Sequence, residues 1–301
     1  MELRDIEIFL TLAEELHFGR AAERLHVSQA RVSQAISQQE RRLGGELFDR
    51  SNRRQVRLTP LGRQLRDDLG PVYAGLRDSL ERARLAARGI TAVLRVGMLP
   101  LNVHDLRAYW DAFRARHPGW TLRIRHPAFS DPFGALRRGD VDVLVAWLPV
   151  EEPDLTVGPV LYAESRVLAV SAGHELAART SVSLEEVSDF QHPDVESRPD
   201  YWFDSYVPPR TRNGRSIPRG PLVQNTEEIL SMTSMGEIVT CFPAHMARYG
   251  NRPDIVYLPV RDLAPLPYAL VWRSEAETGL VRALAQVVRE LGPRTATGGA
   301  A

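Results

Sequence analysis

The sequence predicts two unlike parts: an all-α N-terminal module that closes with a small hairpin wing and a long helix, then a larger α/β domain of two lobes. Three observations carry this reading. Helix-period apolar stripes follow one another up to Gly89, strand-like and helix-like runs alternate beyond it, and charge is divided unevenly between the two regions. Residues 20–66 hold 11 Arg against 4 acidic residues, whereas residues 90–301 hold 22 Arg against 25 acidic ones, so a basic block sits on a near-neutral body.

The first stripe is Leu3, Ile6, Phe9, Leu10, Ala13 and Leu16, which predicts an opening helix. A turn at 17–19 ends it, and a short helix over 20–25 turns Ala21, Ala22 and Leu25 inward before His26 and Val27 bridge to Ser28. Ser28 suits an N-cap, because its hydroxyl can accept a hydrogen bond from an amide that the first turn leaves open. The helix it starts carries Val32, Ile36, Gln39 and Leu43 on one face and stops at Gly44 and Gly45. Short strands at 47–50 and 56–58 flank the polar turn 51–54 and make the hairpin. Thr59 and Pro60 then read as N-cap and first helical residue of a long helix reaching about residue 88. Its stripe of Leu61, Leu65, Leu69, Val72, Leu76, Leu80 and Ala83 must be covered by the C-terminal domain or by the same helix of a second chain, and the near-heptad spacing favours the partner helix. Pro71 lacks an amide hydrogen and disfavours helix at Gly70, so a kink or a break is expected there.

From Gly89 onward, strands at 93–98, 121–126 and 141–146 alternate with helices at 105–116 and 131–138, the βαβ order of a parallel sheet. A second set follows Leu161, with extended runs at 166–170, 222–223 and 238–242 and helical ones at 227–235 and 243–249. A strand at 268–272 and a helix near 278–291 close the chain, and 190–221 has no clear pattern. The economical picture is two similar α/β lobes with a cleft between them. The expected boundaries are 1–59 for the helical module, 60–89 for a linker and dimerisation helix, and 90–301 for the two-lobed domain, with one lobe from 90–162 plus 263–301 and the other from 163–262.

Composition removes several classes of function. The single Cys241 builds neither a disulfide framework nor a structural zinc site and argues for a reducing compartment. It lies in the apolar run 238–242 and reads as a small buried strand residue. The acidic opening, with Glu2, Asp5 and Glu7, is no secretory signal, and no apolar run approaches a membrane span, so a cytoplasmic protein without membrane contact is expected. No cofactor or metal is expected, and no enzyme: GxSxG, GxxxxGK[ST] and HExxH are absent, and His104–Asp105 and His174–Glu175 lack partners at a spacing that defines a site. Every fixed cation is an arginine, suited to bidentate phosphate or guanine contacts, although genome composition produces the same bias.

The strongest candidate for function is the helix after Ser28. Its outer face presents Ser28, Gln29, Arg31, Ser33, Gln34, Ser37 and Gln38, side chains able to pair with base edges or phosphates, while Val32 and Ile36 face inward. Preceded by a short helix and a tight turn, it fits the helix-turn-helix arrangement in which the second helix enters the major groove. A solvated amphipathic helix would show the same polar face; the wing beside it, with Arg50, Arg53, Arg54 and Arg57 positioned to reach phosphates or the minor groove, favours double-stranded DNA as the partner.

Residues 1–62 resemble the N-terminal module of the LysR-type transcriptional regulators. The match runs through Phe9, Ala13, Glu14, Phe18, Ala21, Ala22, Leu25, Val27-Ser28-Gln29, Ser33, Ile36, Glu40, Leu43-Gly44, Leu47-Phe48, Arg50, Arg53, Leu58-Thr59 and Gly62. Looser matches follow at Leu136-Arg137-Arg138-Gly139-Asp140-Val141-Asp142 and Val223-Gln224-Asn225-Thr226. The resemblance implies a periplasmic-binding-protein-like effector domain, promoter binding modulated by a small molecule held between the lobes, and a homo-oligomer built as a dimer of dimers. Carried onto this chain, the effector positions are Leu99, Pro100, Leu101, Asn102, Phe129, Ser130, Asp131, Trp147, Tyr201, Trp202, Asn225 and Thr226. Helix starts at Asn102, Ser130 and Thr226 would offer free amides to an anionic effector, a preference tempered by Asp131, Glu227 and Glu228 in the same first turns. Ala30 stands where the family usually has Pro, Gln34 where Arg is common, and Glu237 where many members have a small residue. Gln34 suits adenine better than guanine, so the target sequence is expected to differ from that of similar-looking relatives. A solute-binding or enzymatic two-lobed protein with an incidental helical domain is the rival reading at this point.

Overall fold

A computed structural model describes residues 2–49, 56–87, 91–196 and 198–295. It divides into two compact units, Met1–Gly89 and Ile90–Ala301.

The first unit opens with α1 (Leu3–Glu15), α2 (Phe18–Leu25) and α3 (Gln29–Leu43). The buried face of α1 carries Asp5, Ile8, Phe9, Leu12 and Ala13, whereas Leu3 and Leu16, expected on the inner stripe, are exposed. The face is turned because α1 docks on α3, where the buried Gln39 Nε2 donates to the Asp5 carbonyl at 2.9 Å. Helix α2 starts two residues earlier than expected: the His17 imidazole acts as its N-cap and accepts from the Arg20 amide at 3.2 Å, which turns Phe18 and Gly19 into helix. On α3, Val32, Ala35 and Ile36 are fully buried with Gln39, and Leu43 in the last turn is exposed. Phe48 packs edge-on against Phe9 (5.7 Å) and Phe18 (6.4 Å) and closes this small core.

Phe48 belongs to β1 (Phe48–Asp49), which pairs antiparallel with β2 (Arg57–Leu58) as the base of the expected hairpin. The hairpin is fastened to α3 by Glu40, whose Oε1 accepts from the amides of Leu47 (3.0 Å) and Phe48 (3.3 Å). Helix α4 (Pro60–Ala86) begins with Thr59 Oγ1 accepting from the Gly62 amide at 3.0 Å. It runs past Pro71 as one unbroken helix. Proline removes one backbone bond, and a helix anchored on both sides of the gap tolerates that loss. Leu65 and Leu69 pack onto the core of their own unit, while Leu61, Val72 and Leu80 are exposed, so only part of the stripe waits for a partner.

The second unit runs β3 (Ala92–Met98), a 3₁₀ turn (Val103–Leu106), α5 (Arg107–Arg116), β4 (Trp120–Arg125), α6 (Gly134–Arg137), β5 (Val143–Trp147), β6 (Leu155–Glu164) and β7 (Arg166–Ser171). There follow α7 (Leu184–Val187), β8 (His192–Asp194), α8 (Asp200–Tyr206), β9 (Arg219–Leu222), α9 (Thr226–Ser234), β10 (Thr240–Pro243) and α10 (Met246–Tyr249). It closes with β11 (Ile255–Pro259), β12 (Leu266–Arg273), α11 (Gly279–Leu291) and β13 (Arg294–Thr295).

A six-stranded sheet of order β13-β6-β12-β5-β3-β4 forms one lobe, and a three-stranded sheet β10-β7-β11 with the two-stranded β8-β9 forms the other. Only β4-β3-β5 and two outlying pairs are parallel; β12 is antiparallel to both β5 and β6, and the second sheet is antiparallel throughout. The parallel pairing expected of 93–98, 121–126 and 141–146 is met in β3, β4 and β5, and what is corrected is its recurrence after Leu161. Alternation reports the order of elements and not their direction, and the strands by which the chain leaves the first lobe (β6) and returns to it (β12) run opposite ways. Strand β6, the longest among the described residues, escapes sequence reading because Gly158 and Pro159 interrupt it. Glycine is needed there, since a Cβ would lie 2.2 Å from the Trp272 ring.

Each lobe has its own core. In the second, β7 alternates: Leu168 and Val170 join Cys241 and Leu258 on one face, while Val167 and Ala169 meet Phe242 and Ile255 on the other. Cys241 is fully buried on β10, as its apolar run predicts. No helix among the described residues is long and apolar enough to cross a membrane, and no group of three or more His, Cys, Asp or Glu side chains among them is placed to hold a metal ion.

Candidate functional site

Two sites follow from this architecture, one on each unit. On the first, Ser28 Oγ caps α3 by accepting from the Arg31 amide at 3.2 Å, and α3 carries no acidic residue in its first turn. The partial positive charge of the helix start is therefore left for an incoming anion. Gln29, Arg31, Gln34 and Gln38 are exposed, Ser33 and Ser37 half-exposed. The side chains of Gln29, Arg31, Gln34 and Gln38 make no hydrogen bond or ion pair with any described residue. Neighbouring arginines are otherwise engaged: Arg24 binds Glu14 (2.7 Å) and Glu15 (3.0 Å), and Arg20 also binds Glu15, tying α2 to α1. The Arg24 guanidinium holds the Glu15 carboxyl below its ordinary range. Arg50, Arg53 and Arg54 lie outside the described residues.

On the second unit, a cavity of about 60 Å³ opens between the lobes. The sheet side contributes Leu99, Pro100, Leu101, Phe129, Trp147 and Tyr268; the other lobe contributes Pro193, Val195, Phe203, Tyr206 and Val207, the start of α9 at Thr226 and Ile229, and Thr240, Phe242, Pro243, His245 and Met246 around the end of β10. The lining is predominantly apolar, as expected of a small-molecule site.

Of the effector positions expected from sequence, Leu99, Pro100, Leu101, Phe129, Trp147 and Thr226 line this cavity and the other six do not. Asn102 is buried and its Oδ1 accepts from the Tyr162 hydroxyl at 3.0 Å. Ser130 and Asp131 precede α6 instead of starting a helix, and Asp131 is held by Arg138 at 2.8 Å. The Tyr201 hydroxyl donates to Glu152 at 2.8 Å, and burial pushes it up to about 12. Trp202 is fully buried, stacked on Trp147 at 3.6 Å, with its Nε1 donating to the Trp147 carbonyl at 3.1 Å. Asn225 spends its side chain as the N-cap of α9, accepting from the Glu228 amide at 2.9 Å, so that amide is not free for a ligand.

Sequence reasoning passed over a buried polar cluster, in which Glu164 and Arg166 reach the cavity only through His245 and Tyr206. Glu164 ends β6 and is only 5% exposed; its Oε2 accepts from the His245 amide at 3.0 Å and its Oε1 meets His245 Nδ1 at 2.6 Å. A carboxylate oxygen accepts, so Nδ1 carries a hydrogen and, in the neutral ring, Nε2 is left as an acceptor. Arg166, two residues on, is 1% exposed. Its Nη2 donates to the carbonyls of Tyr206 and Cys241, its guanidinium lies 4.7 Å from the centre of the Tyr206 ring, and its Nε and Nη1 have no partner. Burial raises the Tyr206 and Tyr268 hydroxyls above their ordinary values, so both stay protonated. The strand-end rule used for 99–102 and 147–149, applied in turn to β10, would have found His245, while Glu164 and Arg166 lie where β6 passes into β7.

Residues 3–63 match the family described as bacterial regulatory helix-turn-helix protein, lysR family, and residues 87–293 match the LysR substrate binding domain. The HTH-type transcriptional regulator TfdS of Cupriavidus pinatubonensis is 30% identical over 296 residues, covering 96% of this chain and 98% of that protein. The HTH-type transcriptional regulator AlsR of Bacillus subtilis is 26% identical, covering 94% and 93%. Among solved structures, full-length CbnR complexed with its target DNA superposes with a TM-score of 0.65 at 22% identity, covering 97% of this chain and 100% of that one, a likeness of fold.

Proposed function

The chain belongs to the LysR family of bacterial transcriptional regulators, and from that membership we propose how its residues divide the work. It is a DNA-binding regulator with an effector-binding domain, and not an enzyme. We assign base and phosphate contacts to Ser28, Gln29, Arg31, Ser33, Gln34, Ser37 and Gln38 on α3, with Arg50, Arg53 and Arg54 of the wing gripping the backbone. The observation that carries this is the division of one helix into two faces: Val32, Ala35 and Ile36 are fully buried, while four long polar side chains opposite them have no partner among the described residues.

We assign the interlobe cavity to a small effector with an apolar body and an anionic group. A dimer of dimers is the assembly we infer, with the exposed Leu61, Val72 and Leu80 of α4 facing a second copy, and the cytoplasm is where it acts. The test is a gel shift on the promoter beside its own gene across a salt series. Binding that neutralises phosphates must fall steeply with salt. Replacing Arg53 and Arg54 together by Ala lowers affinity for all DNA and flattens the salt slope, whereas Gln34→Ala changes base preference. No shift on any segment of that promoter, or a Gln34→Ala variant unchanged in both affinity and preference, refutes the assignment.

A further inference from the structure

Helix α3 places two of its three arginines at its far end. Arg41 and Arg42 occupy the last turn, both exposed, and Gly44 stops the helix just beyond them in the left-handed conformation, with φ 74°. Seven residues carry an α-helix forward by about 10 Å and return it to within about 20° of the same direction, so Arg41 stands on the row of Gln34. By the same spacing Gln38 follows Arg31, and Arg42 lies one turn beyond Gln38, about 16 Å along the axis from Arg31. The rows that carry Gln34 and Gln38 thus each end in a cation.

Neither guanidinium is neutralised by a carboxylate among the described residues. Arg41 donates from Nε to the Ser37 carbonyl at 3.2 Å, which leaves its Nη1 and Nη2 without a partner there, and Arg42 has no hydrogen bond or ion pair at all among those residues. Arg4, Arg20 and Arg24 on the two preceding helices are, by contrast, all held by glutamates. The one acidic residue of α3, Glu40, turns its carboxylate to the Leu47 and Phe48 amides of the hairpin. Arginines in a last turn also complement the helix dipole. Arg42, however, reaches none of the closing carbonyls, and that of Glu40 is taken by the Gly44 and Gly45 amides at 2.9 Å and 3.2 Å. A helix that enters the major groove N-terminus first rises out of it toward its C-terminus. The groove is about 12 Å wide, so with Gln34 at base edges the two turns that follow meet the phosphates at its border.

We propose that Arg41 and Arg42 bind the DNA backbone at the border of the major groove, so that α3 reads bases with its first half and grips phosphates with its last turn. This rests on reading α3 as the helix that meets DNA. The fixed charge absent at Gln34 is supplied two turns along the same row, where it adds affinity without reading sequence.

The experiment uses the full chain and two duplexes of equal length, one from the promoter beside its own gene and one of unrelated sequence. Affinity is measured by fluorescence anisotropy from about 50 to 200 mM salt, a range over which each phosphate contact contributes about 0.9 to the slope of log affinity against log salt. Arg41→Gln with Arg42→Gln should flatten that slope by about 1.8 on both duplexes, shrinking the fall in affinity across the range about twelvefold. Arg41→Lys with Arg42→Lys retains the charges and should keep the native slope, and Gln34→Ala should change the ratio between the duplexes and not the slope. Thermal melts verify folding, and each single glutamine variant should give half the effect, so an unstable double variant does not decide the outcome. Loss of a dipole contact alone lowers the melting temperature and spares the slope. A native slope in the glutamine variants, or a flattened one in the lysine variant, overturns the backbone contact. If Arg53→Ala with Arg54→Ala still flattens the slope, the DNA interface itself stands; if no variant alters binding, that interface falls as well.

Discussion

Gly62→Ala isolates how the wing is seated. Gly62 is buried in the first turn of α4, and a Cβ there would lie 2.1 Å from the Leu47 carbonyl oxygen and 3.0 Å from both Leu47 C and Leu58 Cδ2. Ordinary carbon–oxygen contacts are about 3.3–3.6 Å, so α4 and the hairpin must part by more than about 1 Å. Both sides are backbone and neither can rotate away. The same Leu47 oxygen accepts from the Thr59 amide at 3.0 Å, a bond that the displacement strains. Overpacking of this kind costs about 1–3 kcal/mol and a weakened hydrogen bond about 1 more, offset by about 1 kcal/mol from the better helix propensity of alanine. A net loss near 2 kcal/mol speeds sub-global amide exchange about thirtyfold. Hydrogen exchange by mass spectrometry over residues 40–65, with 92–147 as internal control, measures it, and DNA affinity should fall in parallel. Exchange within about twofold of native across that stretch would refute the seating argument.

Two further predictions concern buried titratable groups in the second lobe. His192 is fully buried with Nδ1 unpartnered, and burial lowers its pKa from 6.5 to about 4. The unfolded chain therefore takes up a proton before the folded one does: stability is complete above pH 6.5 and is lost as pH falls toward 4, by about 3 kcal/mol in all. Urea midpoints measured across that range should fall less for His192→Gln than for native protein. Burial raises the Cys241 thiol to about 11, so iodoacetamide at pH 8 should leave native protein unmodified and label it once denaturant is added; labelling without denaturant would contradict the burial.

The helical unit was legible because its signals are local. Ser28 as a cap, the 3.6-residue spacing of Val32, Ile36 and Gln39, and Thr59-Pro60 each declare themselves within one turn of helix. The errors there arose where a side chain took an unusual part, as His17 does in capping α2. In the two-lobed unit, local pattern found most elements and the direction of β3, β4 and β5, but not the direction of the later strands, which depends on which lobe the chain enters next. The unpatterned stretch 190–221 contains β8, α8 and the start of β9, short elements held by contacts distant in sequence such as the Val239 amide donating to the Gln191 carbonyl at 2.9 Å. The pocket was half legible for the same reason: strand ends such as Leu99 and Trp147 follow from pattern, whereas the partnership of Glu164 with His245 spans 81 residues and leaves no local trace.

Trp147 and Trp202 lie face to face, each indole donating to the other residue's carbonyl. One belongs to β5 of the six-stranded sheet and the other to α8, which packs between the lobes. Two indoles so close couple their electronic transitions, and the resulting far-ultraviolet couplet depends steeply on their spacing and tilt. The chain thus carries an unlabelled optical gauge of how α8 sits on the six-stranded sheet, readable in the free protein and on its operator.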